Sequence, residues 1–318
     1  FFFFSNYFGI ATDIEGCAAV AKEYGIPLIV DAAHGSHFHF HPNLPLAAEE
    51  TSAAIVTQST HKTCIALSQG SIALFNNESI VDRFYEIVNQ LGFVSTSFSY
   101  IILQSTILSV LQLRSQGEEL LDEVIRISEW VRSAINQINR LRCFGPDQFQ
   151  PGFIAFDPLR ITVDVSQLGM TGFAVEDLLI RDYKIYPEMA TLQHVLFLFT
   201  LSDSWIVGRR VVKALRELAK SAPNHQSLPN LPLPGMSHQL YLPRDVFFSR
   251  RRRRLPVRDA IGLPSAETIA TYPPGCAIVV AGEEITRDIV EFLQATRAHG
   301  GVLKGASDPD FSTILVLE

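Results

Sequence analysis

Lysine and cysteine are both scarce in this sequence of 318 residues. Only six of the 26 basic residues are lysine, so a lysine in a polar, His-rich segment is a candidate for chemistry. The four cysteines, Cys17, Cys64, Cys143 and Cys276, form no CxxC pair. That spacing argues against a zinc site or a disulfide framework and favours reduced thiols in a cytoplasmic protein. The formal net charge of -7 argues against a general nucleic-acid scaffold.

Long apolar runs are also missing. The stretch from Ile87 to Leu113 carries no charge, but Asn, Gln, Ser and Thr side chains are scattered through it. Such a stretch predicts a buried loop and helix, not a membrane span. The chain begins with Phe1 and has no basic segment before its opening phenylalanines, so we expect an N-terminally truncated chain without a signal peptide. Hydrophobic residues make up 47%, which suffices for a sizeable core.

Helical and strand-like segments alternate in the first quarter of the chain. A helix is predicted from Asp13 to Tyr24, ended by Gly25, because apolar residues recur there at helical spacing. Short apolar runs predict buried strands at residues 26–30, 53–57 and 71–75. This alternation indicates an α/β fold, in which chemistry takes place beyond the carboxyl ends of the strands. Asp31 and the segment 58–62 both follow such ends.

The rest of the chain suggests smaller units. Apolar periodicity predicts a long bridging helix over residues 120–141 and, after it, strands at 161–165 and 195–201 with a helix at 175–183 between them. A stretch rich in Pro, Ser and Asn predicts a linker. A strand at 277–280 and a helix at 286–298 follow it. The predicted domains are residues 1–115 (large domain), 116–220 (bridging helix and small α+β domain), 221–243 (linker) and 244–318 (C-terminal domain).

Two short segments carry the strongest chemical pattern. Asp31 follows one strand, and Ser59, Thr60, His61 and Lys62 follow another. A lysine at a sheet edge can act as an amine nucleophile, and a buried aspartate needs a cationic partner. Pyridoxal phosphate satisfies both, because its aldehyde reacts with an amine and its pyridinium nitrogen pairs with a carboxylate. The alternative is that Asp31 caps a turn and Lys62 is a solvated surface residue.

These segments resemble the Orn/Lys/Arg decarboxylase family. The segments that resemble it are VDAAHGSHF at residues 30–38, QSTHKT at 58–63, LSQGS at 67–71, STSFSY at 95–100, LGMTG at 168–172 and YPPG at 272–275. The resemblance implies a pyridoxal-phosphate enzyme of the aspartate-aminotransferase fold, fold type I. It also implies a three-layer large domain with a mainly parallel sheet, followed by small α+β C-terminal domains.

The resemblance also implies roles for individual residues. Lys62 would carry the cofactor, Asp31 would hold its pyridinium nitrogen, and His61 or Lys62 would return a proton to the substrate. Further cofactor contacts would be His34, Ser59, His61, Thr96 and Ser97. The last two would reach the phosphate of a neighbouring subunit, so a homodimer with a shared active site is expected.

The function implied is decarboxylation of arginine, lysine or ornithine to an amine and carbon dioxide. The same Asp31 and Lys62 would also serve an aminotransferase or an aldolase-like enzyme. A further alternative is a non-catalytic truncated remnant that only dimerises. The partner expected is therefore a small basic amino acid, with no nucleic acid and no membrane.

Three other features have two interpretations each. Glu188 either faces the distal amine of a basic substrate or lies in a turn. The alternating histidines of residues 37–41 would share one face of a strand and could bind a metal, but we expect a polar rim of the active site and no metal. The five arginines from Arg250 to Arg254 could form a patch for an acidic partner, but we expect a solvated loop.

Overall fold

The computed structural model describes residues 2–91, 97, 99–149, 152–222, 232–272 and 275–318. Its strands are β1 Phe2–Phe3, β2 Ile10–Ala11, β3 Ile29–Asp31, β4 Ile55–Gln58, β5 Ile72–Phe75, β6 Arg142–Cys143, β7 Ala155–Phe156, β8 Arg160–Asp164, β9 Met189–Ala190, β10 His194–Leu198, β11 Arg252–Pro256, β12 Ile269–Tyr272, β13 Cys276–Val279, β14 Val302–Lys304 and β15 Thr313–Leu317. Its α-helices are α1 Ile14–Glu23, α2 Thr60–Thr63, α3 Glu78–Leu91, α4 Tyr100–Asn136, α5 Gly172–Leu178, α6 Trp205–Ser221, α7 Pro243–Phe248 and α8 Arg287–Ala298.

The chain divides into two compact units. The first comprises Phe1–Ile138, Arg142–Thr162 and Phe197–Arg216, and the second comprises Asn139–Leu141, Val163–Leu196 and Glu217–Glu318. The division into three domains and a linker expected from the sequence stays a prediction. Among the described residues, no helix is both long enough and apolar enough to cross a membrane.

The first unit contains a sheet in the order β1-β3-β4-β5. β4 runs parallel to β3, as predicted, and Asp31 is in register with Thr57. β1, a strand that the sequence did not predict, also runs parallel to β3. β5 instead runs antiparallel to β4, which corrects the expectation of a third parallel strand. A parallel return needs a longer crossover, usually a full helix, whereas the segment between β4 and β5 holds only the one-turn helix α2.

The first helix and strand follow from local rules. The carboxylate of Asp13 accepts a hydrogen bond from the backbone N–H of Gly16 at 2.8 Å, which caps α1 where the sequence predicts its start. Gly25 follows the helix at φ +65°, a conformation that favours glycine. β3 begins at Ile29 and not at Ile26, because Pro27 has no N–H to give to a sheet.

The long helix α4 begins twenty residues earlier than predicted, at Tyr100. The serines and threonines of this stretch suggested a loop. In the structure, the hydroxyl of Ser109 donates to the backbone carbonyl of Thr106 at 2.8 Å, so a polar side chain is satisfied within the helix. Further along, Val124, Ile127, Val131 and other apolar residues at three- and four-residue spacing are buried in the core.

The second unit contains an apolar core between α8 and two small sheets. Ile289 and Leu293 of α8 are fully buried in that core. The last three residues of the arginine run are not in a loop: Arg252, Arg253 and Arg254 lie in β11 of this unit, paired antiparallel with β15. The backbone is therefore hydrogen-bonded while the side chains of these arginines stay exposed, which corrects the predicted solvated loop.

Candidate active site

Two parallel strand ends of the first unit meet at one edge of the sheet. Asp31 is the last residue of β3 and lies opposite Thr57 of β4. Its carboxylate accepts a hydrogen bond from the backbone N–H of Ala33 at 2.9 Å. Helix α2, which carries His61 and Lys62, begins two residues after β4 ends. The sheet therefore brings the two predicted segments to the same edge.

Lys62 contacts one of the predicted residues directly. Its Nζ lies 3.1 Å from Nε2 of His34, which follows β3. Tyr7 covers this pair: its ring centroid is 4.4 Å from that of His34 and 5.6 Å from Nζ of Lys62. An aromatic face close to an amine provides an apolar wall and a weak cation–π contact.

Two buried charged residues stand behind His34. Nη2 of Arg160 lies 2.9 Å from Nδ1 of His34, and Nε of Arg160 lies 3.5 Å from a carboxylate oxygen of Asp157. The same oxygen is 3.3 Å from Nε2 of His37. Arg160 and Asp157 are each 1% exposed, so this row of charged groups is inside the protein.

The protonation of this row follows from burial and from its charges. Burial, followed by the positive charges of Arg160 and Lys62, lowers the pKa of His34 to about 3. Burial acts to raise the pKa of Asp157, but His37 and Arg160 outweigh it and hold that pKa below its ordinary value. At neutral pH the row therefore contains a neutral His34 between two basic side chains, and an ionised Asp157.

His61 is oriented by a turn that follows α2. Its Nδ1 lies 2.8 Å from the backbone carbonyl of Gly70, so Nδ1 carries a proton and donates it. The other ring nitrogen, Nε2, is left to take up or release a proton. A Cβ at Gly70 would lie 2.8 Å from the hydroxyl oxygen of Thr60 and 2.7 Å from that of Thr106, which is why the turn needs a glycine here.

Buried hydroxyl groups form hydrogen bonds to both ends of α2. The hydroxyl of Ser36 lies 2.8 Å from that of Thr63 and 3.2 Å from the backbone carbonyl of Ser59. Cys64 belongs to this network, and burial raises the pKa of its thiol to about 11. The thiol therefore stays protonated, and Cys64 is not activated as a nucleophile.

The remaining predicted residues lie elsewhere or outside the described chain. Ser59 precedes α2 at the sheet edge, and Ser97 is exposed just before α4. Thr96 is not among the described residues. Glu188 belongs to the second unit, is exposed and precedes β9, so its contact with a substrate stays a prediction.

The alternating histidines do not form a strand. Residues Phe38–Phe40 form a 3-10 helix, which turns the three side chains toward different carboxylates. His37 faces Asp157 and is fully buried, so it does not belong to a rim, while His39 pairs with Glu50 and His41 with Asp122. Within the described part of the chain, no group of three His, Cys, Asp or Glu side chains could hold a metal ion.

Three residues of the site were missed from the sequence: Tyr7, Asp157 and Arg160. A signal existed for the last two. They are opposite charges three residues apart in an otherwise apolar segment, and such charges are buried only when they are paired.

Comparison with known proteins identifies the family of this chain. The model of the Orn/Lys/Arg decarboxylase major domain matches residues 2–205, and the model of the Orn/Lys/Arg decarboxylase C-terminal domain matches residues 236–306. The chain belongs to the Orn/Lys/Arg decarboxylase family. Among the curated members, arginine decarboxylase of Bacillus subtilis is 33% identical over 98% of this chain. The chain spans 64% of the length of that relative.

The solved structures show the fold of this family member. The structure of E. coli constitutive lysine decarboxylase superposes with a TM-score of 0.81, at 18% identity, over 99% of this chain and 57% of the other. Ureidoglycine-glyoxylate aminotransferase from Bacillus subtilis superposes with a TM-score of 0.54, at 16% identity, over 69% of this chain and 59% of the other. The fold is fold type I of the pyridoxal-phosphate enzymes, as predicted.

The low pKa of His34 predicts a loss of stability in acid. In the unfolded chain His34 takes up a proton near pH 6.5, but in the folded chain it does so only near pH 3. Between these values the unfolded state binds more protons, so stability falls as pH decreases, by at most about 1.4 kcal/mol per pH unit. Urea unfolding at pH 7, 6 and 5 should show this slope, and His34→Gln should reduce it.

His39→Gln is the matched control for that experiment, because His39 is 52% exposed and pairs with Glu50 at the surface. It should leave the acid slope unchanged. An equal slope in the wild type and in His34→Gln would contradict a depressed pKa for His34.

Proposed function

We propose that this chain is part of a pyridoxal-phosphate-dependent decarboxylase that converts a basic amino acid to its amine and carbon dioxide. The observation that carries the proposal is the sheet edge at which Asp31 ends one parallel strand and Lys62 follows the next. Family membership supports the reaction class. The four free cysteines support a reducing compartment, the cytoplasm, as its location.

The side chains at this edge fit pyridoxal phosphate. Lys62 supplies an amine and Asp31 a carboxylate for a positively charged ring nitrogen. Two hydroxyl groups suited to a phosphate lie at the start of α2, on Ser59 just before the helix and on Thr60, its first residue. The hydroxyl of Thr60 is buried and has no hydrogen-bond partner within the described residues, so it still has a proton to donate. When bound, the cofactor would supply an electron sink for the electron pair that the departing carboxylate leaves behind.

In the proposed reaction, the protein's own residues would orient the cofactor and donate the protons. In this proposal Asp31 keeps the ring nitrogen of the cofactor protonated, and Tyr7 and His34 form the wall beside Lys62. His61 donates from Nδ1 to Gly70, so its Nε2 is the nitrogen that can first take up a proton and then hand it to the substrate carbon. Lys62 is the second candidate for that proton transfer. Ser59, Thr96 and Ser97 remain proposed phosphate contacts.

Arginine is the substrate to test first. The relative at 33% identity is an arginine decarboxylase, whereas the lysine decarboxylase structure, at 18% identity, is informative about the fold alone. A basic side chain needs an anionic partner at the far end of its pocket, and we propose Glu188 for that role. Glu188→Gln should then raise KM for the substrate and change kcat little.

The test of the function is a product assay. The purified chain, supplied with pyridoxal phosphate, is given arginine, lysine or ornithine, and both carbon dioxide and the amine are measured. Release of the two in equal amounts supports a decarboxylase. A keto acid as the product would indicate an aminotransferase instead, and no turnover of any of the three would overturn the proposed activity for this chain.

We further propose that the enzyme is a homodimer that uses one face of α4. Tyr100, Leu103, Ile107 and Leu111 lie on this face at helical spacing, each at least 50% exposed, and Leu108 beside them is 57% exposed. Exposed apolar stripes of this kind mark interaction surfaces. The face begins next to Ser97, the residue expected to reach the neighbouring active site, which favours a second copy of this chain as the partner.

Replacing two residues of this face with charge should break the dimer. Leu103→Glu with Ile107→Glu is expected to shift the sedimentation coefficient from dimer to monomer, because burying two unpaired carboxylates outweighs the apolar contact. Glu substitutions at the exposed Val20 of α1 provide the control and should leave the dimer intact. A wild-type chain that sediments as a monomer at micromolar concentration would contradict the proposal.

A further inference from the structure

The hydrogen bonds around His34 determine which of its nitrogens carries the proton. Nη2 of Arg160 lies 2.9 Å from Nδ1 of His34. A guanidinium group has five N–H donors and no acceptor, so Nδ1 must be the acceptor. Burial and the charge of Arg160, the two largest causes, lower the pKa of His34 whatever the charge of Lys62, so the ring is neutral at pH 7 and has a single N–H. That N–H is therefore on Nε2.

The tautomer of His34 in turn determines which protonation state of Lys62 can form a hydrogen bond with it. Nε2 of His34 lies 3.1 Å from Nζ of Lys62. Since Nε2–H is a donor, a hydrogen bond between the two requires a lone pair on Nζ, which only the unprotonated amine has. An ammonium group would direct an N–H at another N–H, close to the guanidinium of Arg160. The pair is thus matched to a neutral Lys62.

We propose that Arg160 is a positioning residue that controls the state of the lysine through His34. By donating to Nδ1 it fixes the Nε2–H tautomer, and the imidazole then holds Lys62 as the unprotonated amine. An ordinary lysine is almost fully protonated at neutral pH, and only the neutral amine is a nucleophile. The proposal rests on the proposed function of Lys62 and explains how its amine is kept ready to react.

The local structure that holds Arg160 in place is energetically unfavourable. Asp157, the only carboxylate near it in the described site, lies 3.5 Å from its Nε, while Nη1 is buried without a hydrogen-bond partner in the described part of the chain. The backbone N–H of Asp157 donates to the carbonyl of Gly9 at 2.8 Å. Gly9 has φ +84°, and a Cβ there would lie 2.8 Å from Cγ of Arg160. Replacing a buried ion pair with apolar residues is often neutral or stabilising, so a role in the site explains this buried cation better than a role in stability does.

All the groups that face His34 affect where its proton lies. They are Tyr7, Lys62, Arg160, Asp157 and His37. Asp157 is the one anion among them, and its charge is shared between Arg160 and His37. Removing Arg160 would leave Nδ1 without its donor, so the proton of His34 could move to Nδ1 and let Nε2 accept from an ammonium group.

The tautomer can be measured in the wild-type chain without any change to the fold. Nitrogen-15 NMR at pH 7, with His34→Gln used to assign the resonances, should show an unprotonated Nδ1 and a protonated Nε2 for His34. A proton on Nδ1, or on both nitrogens, would overturn the proposal. This result does not depend on cofactor binding or on decarboxylation, so it is independent of the test of the proposed function.

The state of the lysine can be measured by pulse labelling with acetic anhydride and mass spectrometry. The other five lysines of the chain serve as internal references. Arg160→Met should lower the labelling rate of Lys62 at pH 7 about tenfold or more relative to them, and should shift its midpoint to higher pH. Arg160→Lys, which keeps a cationic donor, should recover part of the rate.

Arg142→Met is the matched control, because Arg142 forms an exposed ion pair with Asp147. It should leave the labelling of Lys62 unchanged. Unchanged labelling of Lys62 in a folded Arg160→Met chain would overturn the proposal. If that variant does not fold, the tautomer measured in the wild-type chain decides.

Discussion

Replacement of Lys62 with alanine is expected to lower carbon dioxide release by at least about a thousandfold, because it removes the nucleophile that would carry the cofactor. The same change should remove the visible-range absorbance that pyridoxal phosphate gives with the wild-type chain and that borohydride reduces. Side-chain volume is lost beside Tyr7 and His34, so folding is checked by circular dichroism. The measurement is an absorbance spectrum beside the carbon dioxide assay.

Lys22→Ala is the control for this variant, since Lys22 lies exposed in the last turn of α1. It should keep both the absorbance band and the activity. A Lys62→Ala chain that retains the reducible band would place the cofactor on another amine and would contradict the assignment. A wild-type chain with no band would show that this length of chain does not hold the cofactor.

Replacement of Asp31 with asparagine is expected to lower kcat by about a hundred- to a thousandfold while the absorbance band remains. The amide is close in size to the carboxylate and can still accept from the N–H of Ala33, so the turn after β3 should persist. The negative charge is lost, however, and with it the partner that keeps the ring nitrogen protonated. Substrate binding should change less than kcat does.

Asp13→Asn is a suitable control, because Asp13 caps α1 and asparagine caps helices as well. That variant should keep its full kcat. Equal kcat values for the wild-type chain and Asp31→Asn would mean that Asp31 has only the capping role that the sequence left open as an alternative.

The sequence predicted the first half of the site because its elements are short and local. β3 and β4 each begin with an apolar pair and end in a polar residue, so the strand ends and Lys62 could be located from neighbouring residues alone. The motif around Lys62 added the family, which the comparisons then showed. These inferences need only strand propensity and the rule that parallel strands end at the same edge.

The other half depends on contacts that no local pattern contains. Arg160 reaches His34 across 126 positions of the chain, and the direction of β5 depends on how tightly the segment after Lys62 turns back. The sequence did not predict the early start of α4, because the serines of this stretch suggested a loop. In the structure, a serine hydroxyl donates a hydrogen bond to a backbone carbonyl of the same helix. The histidines of residues 37–41 were predicted on one strand face because alternation alone cannot exclude a 3-10 helix.

The contact between His34 and Arg160 also has a consequence for the order of folding. During synthesis the segment with His34 and Lys62 emerges well before Arg160, so the short-range pair can form first. Closing a loop of 126 positions is entropically costly and comes late. A nascent chain that ends before Arg160 would have its lysine in place without the group that tunes it. If Arg160 has the proposed role, Lys62 would become reactive only once this long-range contact has formed.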